Sequence, residues 1–141
     1  NIKNARIVAM VSVSSNAQSA TAGARKLLEE NPQINLLVGF NEWSTLGVGM
    51  AIKELGLKDR VCAIGFDNNT ECVGMLETGE LDTLIVQNPF SMGYLAVMNA
   101  ANILSGKKTE NVIKTDVYVV DRSNMFSADV QKILFGFDKY D

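Results

Sequence analysis

The sequence predicts an α/β fold in three layers, a parallel β-sheet with helices on both faces, formed by one domain over residues 1–141. Three observations carry that reading. Short apolar runs of strand length alternate with longer segments of helical periodicity, giving the order β-α five times over. Each run stops at polar residues, as a buried strand does where its carboxyl end opens onto a ligand crevice. Asn16, Asn41 and Asn88 stand where helix caps are needed, and Pro32, Gly56, Gly79 and Gly106 where helices must end.

In chain order, residues 6–13 (RIVAMVSV) are rich in β-branched residues and predict a first strand, which runs into Ser14, Ser15 and Asn16. Asn16 caps a helix to Asn31 whose Ala20, Ala24, Leu27 and Leu28 fall on one apolar stripe. Residues 34–40 (INLLVGF) predict the second strand, and Asn41 and Glu42 supply a cap and a first-turn carboxylate for a helix over 42–55. The third strand, 61–66, ends at Asp67 and is followed by a helix over 70–78; the fourth, 81–86, ends at Gln87. Asn88-Pro89 opens a helix to residue 104, since proline's missing N–H costs nothing at the first helical position. A fifth strand over 113–120, a turn over 121–124 and a short helix over 127–135 complete the chain.

Composition excludes several functions. With 13 basic and 16 acidic residues the net charge is −3, and no basic run marks a nucleic-acid or membrane surface. The chain has no histidine, which rules out Ser/His/Asp and Cys/His nucleophiles and most zinc sites within it; no metal is expected. It carries no G-x-S-x-G elbow, no G-x-G-x-x-G after the first strand and no P-loop, so no cofactor is expected. Cys62 and Cys72 lack a C-x-x-C spacing and read as reduced structural thiols. No apolar stretch reaches membrane-spanning length, and a chain opening at Asn1 without an initiator Met is consistent with processing or trimming.

The strand ends define the candidate site. Ser14, Ser15 and Asn16 follow the first predicted strand, Asn41 and Glu42 the second, Asp67, Asn68 and Asn69 the third, and Gln87 and Asn88 the fourth, with Phe40, Trp43, Phe66 and Phe90 close by. Carboxylates and amides hydrogen-bond the hydroxyls of a neutral polyol while aromatic faces pack on its C–H surfaces, so this is a sugar-like inventory. Lys and Arg are absent from these loops, which disfavours a phosphorylated ligand. Each residue also has a plainer role: Asn16, Asn41 and Asn88 as caps, Asp67 as an Asx-turn, Trp43 as packing, Glu42 as a first-turn charge. Gln87 is awkward at the end of a buried strand unless it serves a ligand.

Residues 31–56 (NPQINLLVGFNEWSTLGVGMAIKELG), the GFD at 65–67, the run G-x-L-D-x-x-x-x-Q-N-P from Gly79, the M-G-Y at 92–94 and VYVVDRSN at 117–124 together resemble the carboxyl-terminal half of type I periplasmic binding proteins of the ribose- and galactose-binding kind. The resemblance implies a periplasmic-binding-protein-like lobe over residues 1–87. Residues 88–141 would be the crossover helix, strand and C-terminal helix of a two-lobed protein. It further implies that Asn41, Asp67 and Gln87 bind sugar hydroxyls without catalysis, and that the protein is extracytoplasmic and serves an ABC-importer permease or a receptor. Ser14 to Asn16 match a loop where ribose binders place an aromatic residue, which is missing here. The alternative is the effector-binding part of a cytoplasmic lac-repressor-type regulator. Either way, the apolar helix over 89–104 lacks its partner lobe and is expected to expose a patch suited to homodimerisation.

Overall fold

Side-chain caps set where the helices begin. In this computed structural model, which describes residues 4–135, the side chains of Asn16, Asn41, Asn69 and Asn88 accept the amide hydrogens of Ser19, Ser44, Cys72 and Ser91. The elements in order are α1 (Ala17–Glu30), β1 (Leu36–Val38), α2 (Glu42–Leu55), β2 (Cys62–Phe66), α3 (Thr70–Thr78), β3 (Thr83–Gln87), α4 (Pro89–Leu104), β4 (Val117–Asp121) and α5 (Ala128–Phe135). Gly56 and Gly79 end α2 and α3 at φ 63° and 92°, left-handed positions that glycine adopts without a Cβ penalty.

The strands form one sheet in the order β1-β2-β3-β4. β1, β2 and β3 are parallel, with Leu37 opposite Ala63 and Gly65 opposite Leu84. Alternation then sorts the side chains. Leu37, Ala63, Leu84, Val86 and Val120 are buried with Leu46, Val48 and Ile52 of α2 and Leu76 of α3 in one core, which Leu134 of α5 joins. The opposite face remains largely open, with Leu36, Cys62, Val117 and Val119 exposed and Ile64, Phe66 and Ile85 half-buried. The α/β class is as expected, but the second helical layer is not closed over this face among the described residues.

Two expectations need correction. Residues 6–13 form no strand; Ile7 and Met10 are 78% and 84% exposed, and Val11 and Val13 lie beside Gly23 of α1. β-propensity makes a strand only when a partner edge takes up its backbone groups, and no strand among the described residues pairs with this segment. The last strand, starting at Val117 rather than near 113, is antiparallel: Leu84 faces Val120 and Gln87 faces Val117. An antiparallel edge strand on an otherwise parallel sheet is a common outcome when the preceding connection is not a simple helical crossover. Here 105–116 has no regular structure, and α4 before it buries none of its residues.

Candidate ligand-binding site

The site is built at the carboxyl ends of β1 and β2. Val38 pairs with Ile64, so Asn41 and Asp67 each lie three residues beyond a matched position and emerge side by side. α2 begins there, and it approaches closely because the strand ends carry glycines. A β-carbon at Gly39 would fall 2.6 Å from the Thr45 nitrogen, and one at Gly65 would collide with Thr45 Cγ2. Thr45 is fully buried, and its hydroxyl both donates to the Phe66 carbonyl at 3.0 Å and accepts the Phe66 amide at 2.8 Å. One side chain on α2 therefore closes the end of β2 just before Asp67.

Asp67 adopts φ 69°, a left-handed conformation that Asp tolerates better than most residues. Its amide continues the ladder to the Ile85 carbonyl at 3.0 Å, and its carboxylate accepts the Glu42 amide at 3.1 Å, at the positive pole of α2. Asn41 caps the same helix, its Oδ1 accepting from the Ser44 amide at 2.9 Å while Ser44 Oγ accepts the Asn41 amide at 3.0 Å. Asn69 Nδ2 donates to Glu42 Oε1 at 3.1 Å, a second bridge between the two loops. The rings of Phe40 and Phe66 make a third, with centroids 6.0 Å apart and planes tilted by 36°. Asn68 Nδ2 donates to the Leu134 carbonyl at 2.7 Å and ties the end of α5 to this loop.

The structure thus joins Asn41 and Asp67 directly and sets Gln87, half-buried at the end of β3, on the same rim. Trp43, 40% exposed, lies in the first turn of α2. Ser14 and Ser15 are exposed beside the α1 cap, where the Ser14 amide donates to Ser19 Oγ at 3.0 Å; no hydrogen bond among the described residues joins them to the rim. Beneath the site, burial, followed by the nearby carboxylates of Glu42 and Glu71, pushes the Cys72 thiol up to about 12. Asn69 and Phe40 stood in the sequence's strand-end set, whereas Thr45 escaped the sequence reading as a site-building residue. The signal was the matched Gly-Phe-Asn at 39–41 and Gly-Phe-Asp at 65–67.

The mostly parallel sheet gathers amide and carboxylate side chains at adjacent strand ends, where folds of this α/β class form a ligand crevice. The chain belongs to the periplasmic binding protein domain family, whose model matches residues 2–108. It is 34% identical over 87 residues to the ribose import binding protein RbsB of Bacillus subtilis, covering 62% of this chain and 28% of that protein. It is 25% identical over 119 residues to the D-ribose/D-allose-binding protein of Pseudomonas aeruginosa, covering 82% and 37%. Among solved structures, a carbohydrate transporter solute-binding protein from Agrobacterium radiobacter in complex with D-arabinose superposes with a TM-score of 0.83 at 30% identity, covering 92% of this chain and 44% of that one. The chain thus spans less than half the length of each of these relatives.

Proposed function

We propose that this chain forms one wall of a neutral-sugar-binding cleft in a solute-binding protein, with Asn41, Asp67 and Gln87 hydrogen-bonding sugar hydroxyls. The observation that carries the reading is the Asp67–Glu42 bond at 3.1 Å, which fixes a carboxylate acceptor beside Asn41 on a sheet rim before any ligand arrives. The names of the relatives, a ribose import binding protein, a D-ribose/D-allose-binding protein and a carbohydrate transporter solute-binding protein in complex with D-arabinose, support a sugar ligand and a transport role; none of these is a regulator. Binding rather than catalysis fits the two carboxylates, since Glu42 accepts from Asn69 and Asp67 from a backbone amide.

In the same reading, residues 1–87 together with β4 and α5, which join the same sheet and core, form the ligand-bearing lobe, and α4 with 105–116 leads to a second lobe that supplies the opposite wall, with closure as the signal to an ABC permease or a receptor outside the cytoplasm. The face of α4, where Val97 is 70% and Leu104 89% exposed, is covered by that lobe or by a second copy. Calorimetric titration of the intact protein with aldopentoses and aldohexoses tests the proposal: saturable binding that Gln87→Leu weakens supports it, and absence of binding to every neutral sugar overturns it.

A further inference from the structure

We infer that Asn68 is a positioning residue that couples occupancy of the sugar site to α5: it holds the Asp67 turn against the end of that helix, and a bound sugar in turn holds the helix. The inference rests on the sugar-binding reading above, and the experiment below separates the two. Asn68 Nδ2 donates to two carbonyls of α5, those of Ile133 at 3.2 Å and Leu134 at 2.7 Å. Both belong to the last turn, whose carbonyls have no donor within the helix and form its negative pole. An NH2 group brings two donors to that pole, which neither a carboxylate nor an alanine can supply.

Three consecutive residues fasten this turn to different parts of the lobe. Asp67 is tied to β3 through the Ile85 carbonyl and to α2 through the Glu42 amide. Asn69 caps α3 and donates to Glu42. Asn68 reaches α5, 65 and 66 residues further along the chain. The turn is strained at Asp67, φ 69°, and such a conformation persists only where its surroundings over-determine it. Asn68 follows the strained residue directly, so its bonds to α5 are part of that restraint. α5 has eight residues, too few to be stable without its contacts. Its inner face is seated through Leu134, 3% exposed, and Gln131 Nε2 donates to the Met125 carbonyl at 2.6 Å; Asn68 closes its carboxyl end. A sugar that restrains Asp67 therefore reduces the freedom of the α5 end, and thermodynamic linkage makes the coupling reciprocal. Neither the Asp67–Glu42 bond nor the Asn69 cap uses the Asn68 side chain, so a substitution there leaves the polar groups of the rim in place.

The test uses the intact protein as wild type, Asn68→Asp and Asn68→Ala. Dissociation constants are measured by calorimetry for aldopentoses and aldohexoses, D-ribose and D-allose first. Amide hydrogen exchange of residues 129–135 is then followed with and without the tightest-binding of these sugars. In the wild type the sugar is expected to slow exchange in α5 beyond any slowing in α1. Both substitutions are expected to weaken binding roughly fivefold to tenfold and to abolish that extra slowing. A merely structural role would lower the urea midpoint and leave the extra slowing in place, and that result overturns the inference. So does a wild type in which the sugar slows α5 no more than α1, a result that does not depend on whether the variants fold. In both cases the sugar site stands. If the wild type binds none of the sugars, both readings fall.

Discussion

The Asp67 carboxylate accepts the backbone amide hydrogen of Glu42 at 3.1 Å across 25 residues of sequence. This contact places a negative charge at the amino end of α2 and joins the loops that follow β1 and β2. It also holds Asp67 at φ 69°, where a side chain that bonds locally is tolerated and alanine is strained. Asp67→Ala should therefore cost about 1–3 kcal/mol, and Asp67→Asn, which keeps an acceptor oxygen, clearly less. Urea unfolding of the two variants checks the order; equal losses would contradict it.

Thr45 makes a second prediction. Thr45→Val preserves shape but strips the partly buried Phe66 N–H and C=O of their Thr45 partner. The expected destabilisation is about 1–3 kcal/mol, with weaker sugar binding because the Asp67 turn loses its support. A denaturation midpoint within error of wild type would show that the hydroxyl is dispensable.

Arg122, just after β4, donates to the Leu81 carbonyl at 2.8 Å and pairs with Asp82 at 3.0 Å, while Asp82 also accepts the Ala63 amide at 2.8 Å. The ion pair is partly solvated and contributes little, so the carbonyl bond should dominate. Arg122→Met is expected to cost about 1 kcal/mol, and the loss should be nearly independent of added salt. A loss that disappears in 1 M salt, where the Debye length is about 3 Å, would assign the role to the ion pair instead.

The cysteines should separate by reactivity and by pH. Cys62 is exposed and Cys72 buried, so iodoacetamide should label Cys62 first in the native protein. Burial raises the Cys72 thiol from 9.0 to about 12, so above pH 9 the unfolded chain loses this proton while the folded one keeps it. The contribution is complete below pH 9.0 and is lost as pH rises towards about 12. Relative to Cys72→Ala, the wild-type urea midpoint should fall across that window; parallel curves would contradict the assignment.

Helix boundaries were legible because caps act locally: Asn16, Asn41, Gly56 and Gly79 each announce an end through their own chemistry. Strand pairing is not local. Nothing in residues 6–13 indicates whether a partner edge is present, and nothing in 117–121 fixes strand direction, which depends on the route through 105–116. At the site, Asn41 and Asp67 could be picked out as polar residues at strand ends. Thr45 could not, because its role exists only once glycines at 39 and 65 let α2 approach.

The central claim is that Asp67 is part of a sugar-binding rim, and thermal shift of the intact protein against neutral sugars tests it most directly. A sugar at 100 times its dissociation constant should stabilise the wild type by ~2.7 kcal/mol and leave Asp67→Ala unshifted. Equal stabilisation of the two proteins would remove Asp67 from the site, and no shift with any neutral sugar would contradict the sugar assignment itself.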